Sequence, residues 1–529
     1  MWGMACSRPV LGVFLLILAC LAQPLPALPQ GGPAGPTPET TANPDVLALG
    51  KLLQQMQAQL QELNSEVRSL KQQQAQAQSE STELRQELQA TRSQLLALSG
   101  QPAPTSTPQT TPPAAAPQGS IENRLEKLEE SQQLVEEKTA EQSQTKVESS
   151  SKYRLRLSGI VLFNLYSDRG SVDNQDFPQL ATPRGLLSSD GTFGGSLRQS
   201  QIGLQGFGPI IAGARTSAQV QFDFAGGFPE APNGESYGIM RLRTGTVRFD
   251  WDKTSIIVGQ DTLFISPIAP TSIATLAVPA FAYSGNLWSW APQLRVEHHF
   301  TVSDHSSLLL QGGILDALSG EAPPSEYYRS PTWGERSGQP AYATRLAWTQ
   351  SVHGHDITFG AGGYYDRQNW GYTRSIDAWA GTVDLTLHLG NRFEFTSEFF
   401  RGRAIGGLGG GIAQTALWNE DFINSSTEVY GLDAIGGWTQ LKFKATSKLQ
   451  FNGAFGIDNP YAGDLRQFGG SQTYYPTPLA KNQTELANFL YQPKSDIVFS
   501  LEYRRIRTYP LDISANTANI IDMSVGYIF

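Results

Sequence analysis

Cysteine and histidine are nearly absent. Of 529 residues two are cysteine, Cys6 and Cys20, and both lie in the first apolar segment. Once that segment is removed, disulfides and thiolate metal centres are excluded. The six histidines, His298, His299, His305, His353, His355 and His388, show no ligand spacing on a helix, so no metal and no other cofactor is expected. No later run of about 18 apolar residues occurs, and a membrane-spanning form of this chain therefore has to be a barrel. Charged residues are 16% of the chain and the formal balance is −9, which offers no basic surface for a nucleic acid, and none is expected as partner. Nor is an enzyme: no serine, histidine and acid are singled out together. Gly407-Leu-Gly-Gly-Gly411 lacks the strand-to-helix context of a phosphate cradle.

What is plentiful is turn and strand material: Gly 52, Pro 32 and an aromatic share of 10% point to many strands joined by turns and loops. Residues 1–22, with Arg8 before an apolar run from Val10 to Leu21, read as a signal peptide. Cleavage after Ala22 is the simpler reading, since Leu18 is bulky for the lipoprotein-like box Ile17-Leu18-Ala19-Cys20; lipidation of Cys20 stays open. Residues 23–44 form a Pro/Gly-rich spacer. Over 45–99 a heptad register runs through Val46, Leu49, Leu53, Met56, Leu60, Leu63, Val67 and Leu70 and resumes in phase at Leu84, Leu88, Leu95 and Leu98, which predicts an α-helical coiled coil ~80 Å long. So narrow a stripe buries too little alone, and the rod implies that several chains meet. A Pro-rich linker (100–119) and a short helical segment (120–150) follow.

From residue 151 to the end the period becomes two, predicting an all-β transmembrane barrel of about 16 antiparallel strands. The last strand is the clearest: Ile521, Met523, Val525, Tyr527 and Phe529 share one face, Asp522, Ser524 and Gly526 the other. A soluble sandwich strand can alternate in the same way. The first strand is expected over 153–166, with Leu155, Leu157, Val161 and Phe163 toward lipid. Short connections are expected at Gly208-Pro209, Ser303-Asp304, Val352-His353-Gly354, Gly390-Asn391 and Thr446-Ser447. Long ones are expected over Ser167 to Gly195, Asp316 to Gln339, Ala404 to Thr427 and Asn459 to Ala480. Tyr153, Trp348, Trp379, Tyr503 and Tyr527 fit aromatic girdles.

The order of signal peptide, coiled coil, Pro-rich linker and barrel resembles the DcaP-like outer-membrane porins, and more loosely the phosphate-selective class of porins. Its local motifs are Val258-Gly259-Gln260-Asp261, Leu263-Phe264-Ile265-Ser266-Pro267, and Asn286 through Gln293-Leu294-Arg295. The resemblance implies a trimeric channel for small anionic solutes such as dicarboxylates, held by its barrel wall and a periplasmic coiled coil in the bacterial outer membrane. It implies too that the loop after the Gly-Gln step narrows the bore. Asp261, Phe264 and Pro267 are the candidate constriction residues. Tyr527 and Phe529 resemble the ending read by the barrel-assembly machinery.

Alternation alone turns Arg154, Arg156, Arg215, Arg241, Arg243, Arg295 and Arg345 into the bore. Guanidinium forks onto carboxylate or phosphate oxygens, so these arginines are the candidate anion-attracting residues. The bland alternative is that they pair with lumen carboxylates such as Asp223, Glu297, Asp384, Glu394 and Glu398 and stiffen the wall. Arg241 and Arg243 share parity with Val247 and Phe249, so a bulge near Gly245 is required. The loop from Asp261 to Trp290 could instead be an extracellular subunit contact. Two further functions stay open: a sugar-selective or general pore, with Trp288, Trp290, Tyr364 and Trp438 as an aromatic track, and an envelope spacer anchored by the barrel.

Overall fold

The computed structural model describes residues 154–529 apart from 188, 229–237, 321–328, 353, 469 and 472–476, together with the backbone of Lys146–Val147, which pairs with Arg156 and Leu155. The expected signal peptide, spacer, coiled coil, Pro-rich linker and most of the short helical segment lie outside the described residues, as does Tyr153.

Sixteen strands wind in chain order. They are β1 (Leu155–Arg169), β2 in two pieces (Gly191–Ser196 and Gln201–Ile211), β3 (Ala214–Asp223), β4 (Arg241–Asp250), β5 (Thr254–Thr262), β6 (Trp290–Ser303), β7 (Ser306–Leu315) and β8 (Ala341–Val352). The second half is β9 (His355–Asn369), β10 (Ser375–Leu389), β11 (Phe393–Arg403), β12 (Asp433–Lys444), β13 (Leu449–Pro460), β14 (Leu479–Lys494), β15 (Ile497–Pro510) and β16 (Asn516–Ile528). Each is antiparallel to the next, and β16 pairs back onto β1 from Ile160↔Ile528 to Arg169↔Asn519, which closes the sheet. Phe529 N–H donates to Gly159 O at 3.0 Å, and Phe529 O accepts from Gly159 N–H at 2.8 Å. Closure leaves no unpaired edge, the condition for a sheet in hydrocarbon.

The two faces follow the alternation. Val161 and Phe163 on β1, Phe399 on β11, Phe455 on β13, and Ile521, Met523 and Tyr527 on β16 are exposed outward, while Asn164, Glu398, Asp458, Asp522 and Ser524 are buried inside. Trp348, Trp379, Tyr503 and Tyr527 are exposed on the outer wall. Near its short-turn edge, Phe393, Phe443, Phe451 and Phe489 make a run of ring contacts from β11 to β14, with centroids 4.9, 6.5 and 6.3 Å apart.

The hairpins alternate short and long as expected, with shifted ends. Gly208-Pro209 is not a turn: β2 runs on to Ile211 through a register shift between Phe207 and Ile210, an irregularity that accommodates a residue without N–H. The first long loop is shorter than expected, because the ladder continues to Arg169 and restarts at Gly191. A register shift opposite Gln221 and Phe222 leaves Arg243 as the extra residue on β4, two positions from where a bulge is required. Over the long-loop edge, Ala416–Trp418, Val429–Gly431 and Gly470–Ser471 form a small sheet.

Candidate functional site

The segment 263–289, between β5 and β6, folds into the barrel and is bonded around its inner wall. Thr382 on β10 donates to Ile265 O (2.7 Å), and Ser266 lies between Leu287 O (2.7 Å) and the Glu398 carboxylate of β11. Gln440 on β12 accepts from Thr271 N–H (2.7 Å), and Asn488 on β14 donates to Thr271 O (2.8 Å). Ser272 donates to Glu502 on β15 (2.6 Å), Asn164 on β1 to Ile273 O (3.3 Å), and Gln199, in the break of β2, to Ala274 O (2.8 Å). Arg243 and Arg241 on β4 complete the circuit at Leu276 O and Ala277 O, both at 2.7 Å. The segment packs as well as bonds: Leu263, Phe264 and Ile265 sit with Ala291, Leu315, Ala341, Tyr364 and Phe400 in one apolar cluster.

The seven arginines separate into three groups. Arg154 and Arg156 start β1 exposed, Arg156 over the Phe207 ring at 5.6 Å, and Arg215 is exposed at the same edge. Arg295 and Arg345 follow the bland alternative. Arg345 grips Asp384 with Nε (2.9 Å) and a terminal nitrogen (2.7 Å), and Arg295 is shared by Asp261 (2.9 Å) and Glu297 (2.8 Å). Arg241 and Arg243 differ, because both reach one fully buried carboxylate, Asp223, at 2.7 and 2.9 Å. Two guanidiniums against one carboxylate leave an excess positive charge beside the inserted segment. Trp290 lies beneath both, 4.9 and 4.7 Å from the guanidinium carbons.

Other expected residues move. Asp261 is the end of β5 rather than part of the loop, with Arg295 as its partner. Phe264 is buried under Arg295 (5.8 Å), while Pro267 stands exposed. Glu394 is taken by Lys442 (2.8 Å) and Lys444 (3.3 Å) instead of an arginine. The aromatic track does not form: Tyr364 and Trp438 are buried in packing clusters, and Trp288 packs edge-on between Tyr283 and Trp290.

Sequence reasoning missed Gln199, which both donates to Ala274 O and accepts from Ala277 N–H (3.0 Å), and the Arg198–Asp176 pair (3.0 Å). The residues Leu197 to Ser200 interrupt the alternation of β2, and that break was their signal. The first long loop also turns inward: Asn482 on β14 donates to Gln179 O (3.0 Å), Tyr283 O (2.9 Å) and Ser284 Oγ (2.8 Å), tying both loops to one side chain. Within it, Asp173 accepts from the N–H groups of Gln179 (2.9 Å) and Leu180 (3.0 Å).

No family model matches the sequence, and no curated protein matches it. Among solved structures, the outer-membrane channel DcaP of Acinetobacter baumannii aligns over 73% of this chain and 100% of its own, at 15% identity and a TM-score of 0.54. An anion-selective porin from Comamonas acidovorans aligns over 72% and 100% (9% identity, TM-score 0.45), and OprB of Pseudomonas putida over 71% and 94% (10%, 0.41). By fold, then, this chain is a closed sixteen-strand barrel of the kind seen in the outer-membrane channel DcaP.

Proposed function

We propose that the protein is an outer-membrane porin through which small hydrophilic, preferentially anionic solutes, dicarboxylate-like in chemistry, diffuse down their gradient. The observation that carries the reading is the Arg241–Arg243 pair around the single carboxylate of Asp223, hydrogen-bonded to the inserted segment at Ala277 O and Leu276 O. A fixed positive excess at a constriction raises the local anion concentration, and two planar forks suit a solute with two carboxylates. Arg154, Arg156 and Arg215 add positive charge at one mouth. Arg295, outnumbered by Asp261 and Glu297, and Arg345, neutralised by Asp384, serve the wall. The heptad segment joins three such chains on the periplasmic side, and Tyr527 and Phe529 present the closing strand to the assembly machinery.

Reversal potentials across planar bilayers in asymmetric salt test the reading. An anion-preferring channel is expected; a strongly cation-selective current removes the anion claim and leaves a general pore. Deleting residues 45–150 separates this function from an envelope spacer. Loss of trimers with conductance kept is the porin outcome, whereas a detached envelope with unchanged solute uptake is the spacer outcome.

A further inference from the structure

On β14, β15, β16 and β1 the outward face changes character toward the long-loop edge. On β15, Phe499, Leu501 and Tyr503 are followed on the same face by Arg505 and Arg507; on β1, Phe163 and Leu165 are followed by Ser167 and Arg169. On β16, Met523 and Ile521 give way to Asn519 and Thr517, and on β14 Phe489 and Ala487 give way to Glu485, Gln483 and Lys481. The facing is fixed by the neighbours, because Arg504, Thr508, Asn482 and Asp522 are buried on the inner side. Register places Arg169, Asn519, Arg505 and Glu485 in one cross-strand row, Arg507 between Thr517 and Gln483, and Lys481 beside Tyr509.

Four cations thus stand with one carboxylate. Among the described residues no ion pair engages Arg169, Lys481, Arg505 or Arg507. The Nε atoms of Arg505 and Arg507 are shielded from water and have no acceptor, while the Tyr509 ring holds Lys481 Nζ at 3.9 Å and Arg507 at 5.4 Å. Directly below on the same face lie the exposed Leu501, Tyr503, Ile521 and Met523. Cations above an apolar surface match an amphiphile with an anionic head. A second copy of this chain fits less well: of the outward carboxylates at the long-loop ends of β10 and β12, Asp377 pairs with Arg367 (3.5 Å) and Asp433 accepts from Tyr430 (3.3 Å).

We propose that this face binds phosphorylated lipid headgroups of the outer leaflet. The phosphates sit among Arg169, Lys481, Arg505 and Arg507, and the acyl chains lie on Leu501, Tyr503, Ile521 and Met523. Guanidinium Nε and a terminal nitrogen fork onto phosphate oxygens, which supplies the acceptors that Arg505 and Arg507 lack.

The test places the full-length protein in phosphatidylcholine nanodiscs doped with bisphosphorylated lipid A or with its dephosphorylated form, and reads bound lipid by native mass spectrometry. The protein is expected to retain the phosphorylated form selectively. The combined variant Lys481→Gln, Arg505→Gln, Arg507→Gln should weaken retention by roughly fivefold per cation removed, while Arg367→Gln on β9 leaves it unchanged. Should the triple variant fail to assemble, rising salt on the unaltered protein should release the phosphorylated lipid and spare the neutral one. Equal retention of both lipids, or salt-independent retention, overturns the proposal. So does loss of chain-to-chain association in the triple variant with lipid binding intact, which would make the face an interface between copies.

Discussion

If the charge excess around Asp223 sets selectivity, four proteins form a ladder in single-charge steps. Counting only the three side chains, Asp223→Asn carries two positive charges, the unaltered protein one, Arg241→Gln none, and Arg241→Gln with Arg243→Gln one negative. The Arg241 and Arg243 nitrogens lie 2.7 and 2.9 Å from the shared carboxylate, so the three groups act as one centre on a passing ion. For an ion about 7 Å from that centre in a water-filled bore, one elementary charge contributes about 0.6 kcal/mol, falling to about 0.3 kcal/mol with screening at ~0.1 M salt. Anion and cation shift in opposite senses, so each step changes the anion-to-cation permeability ratio by ~3- to 8-fold. Reversal potentials under a fixed salt gradient read the ratio directly. A flat or non-monotonic series refutes the reasoning, because no assignment of selectivity to this cluster survives it.

Asn482→Ala removes the donors to Gln179 O and Tyr283 O, and the buried Gln179 carbonyl left behind costs about 1–3 kcal/mol; a lower melting temperature and noisier single-channel currents are expected, and quiet currents at unchanged stability count against the anchoring role. Asp173→Ala removes the acceptor of the Gln179 and Leu180 N–H groups and is expected to speed proteolysis of the 170–190 loop; unchanged protection contradicts its part in holding that loop. Deleting Phe529 removes both of its main-chain bonds to Gly159 and is expected to reduce the heat-resistant folded band on gels, a band of undiminished intensity arguing against its part in closure.

The wall was legible because lipid and water impose opposite demands on successive residues, and Ile521 to Phe529 or Phe393 to Phe399 have little freedom to disguise it. Beyond the apolar band that demand lapses, so the continuation of β1 to Arg169 and the restart at Gly191 left no pattern to read. Pro209 looked like a turn because it punctuates most strands; here it occupies an irregular step inside one. In the bore, alternation indicated which arginines face inward and nothing about their distance from an acid. Asp384 meets Arg345 across β9, and Arg241 and Arg243, two residues apart on one face, both reach Asp223 while the bulge at Arg243 returns Val247 to the outer side. The route of segment 263–289 was least legible, since its partners Gln440, Asn488 and Glu502 lie far along the chain.

That route has a bearing on how the molecule is made. The segment holds to β1, β2 and β4 on one side and to β10, β11, β12, β14 and β15 on the other, so a chain laid down from its amino end offers it only half its seats until the late strands arrive. Its inward fold is complete only once the whole wall is present.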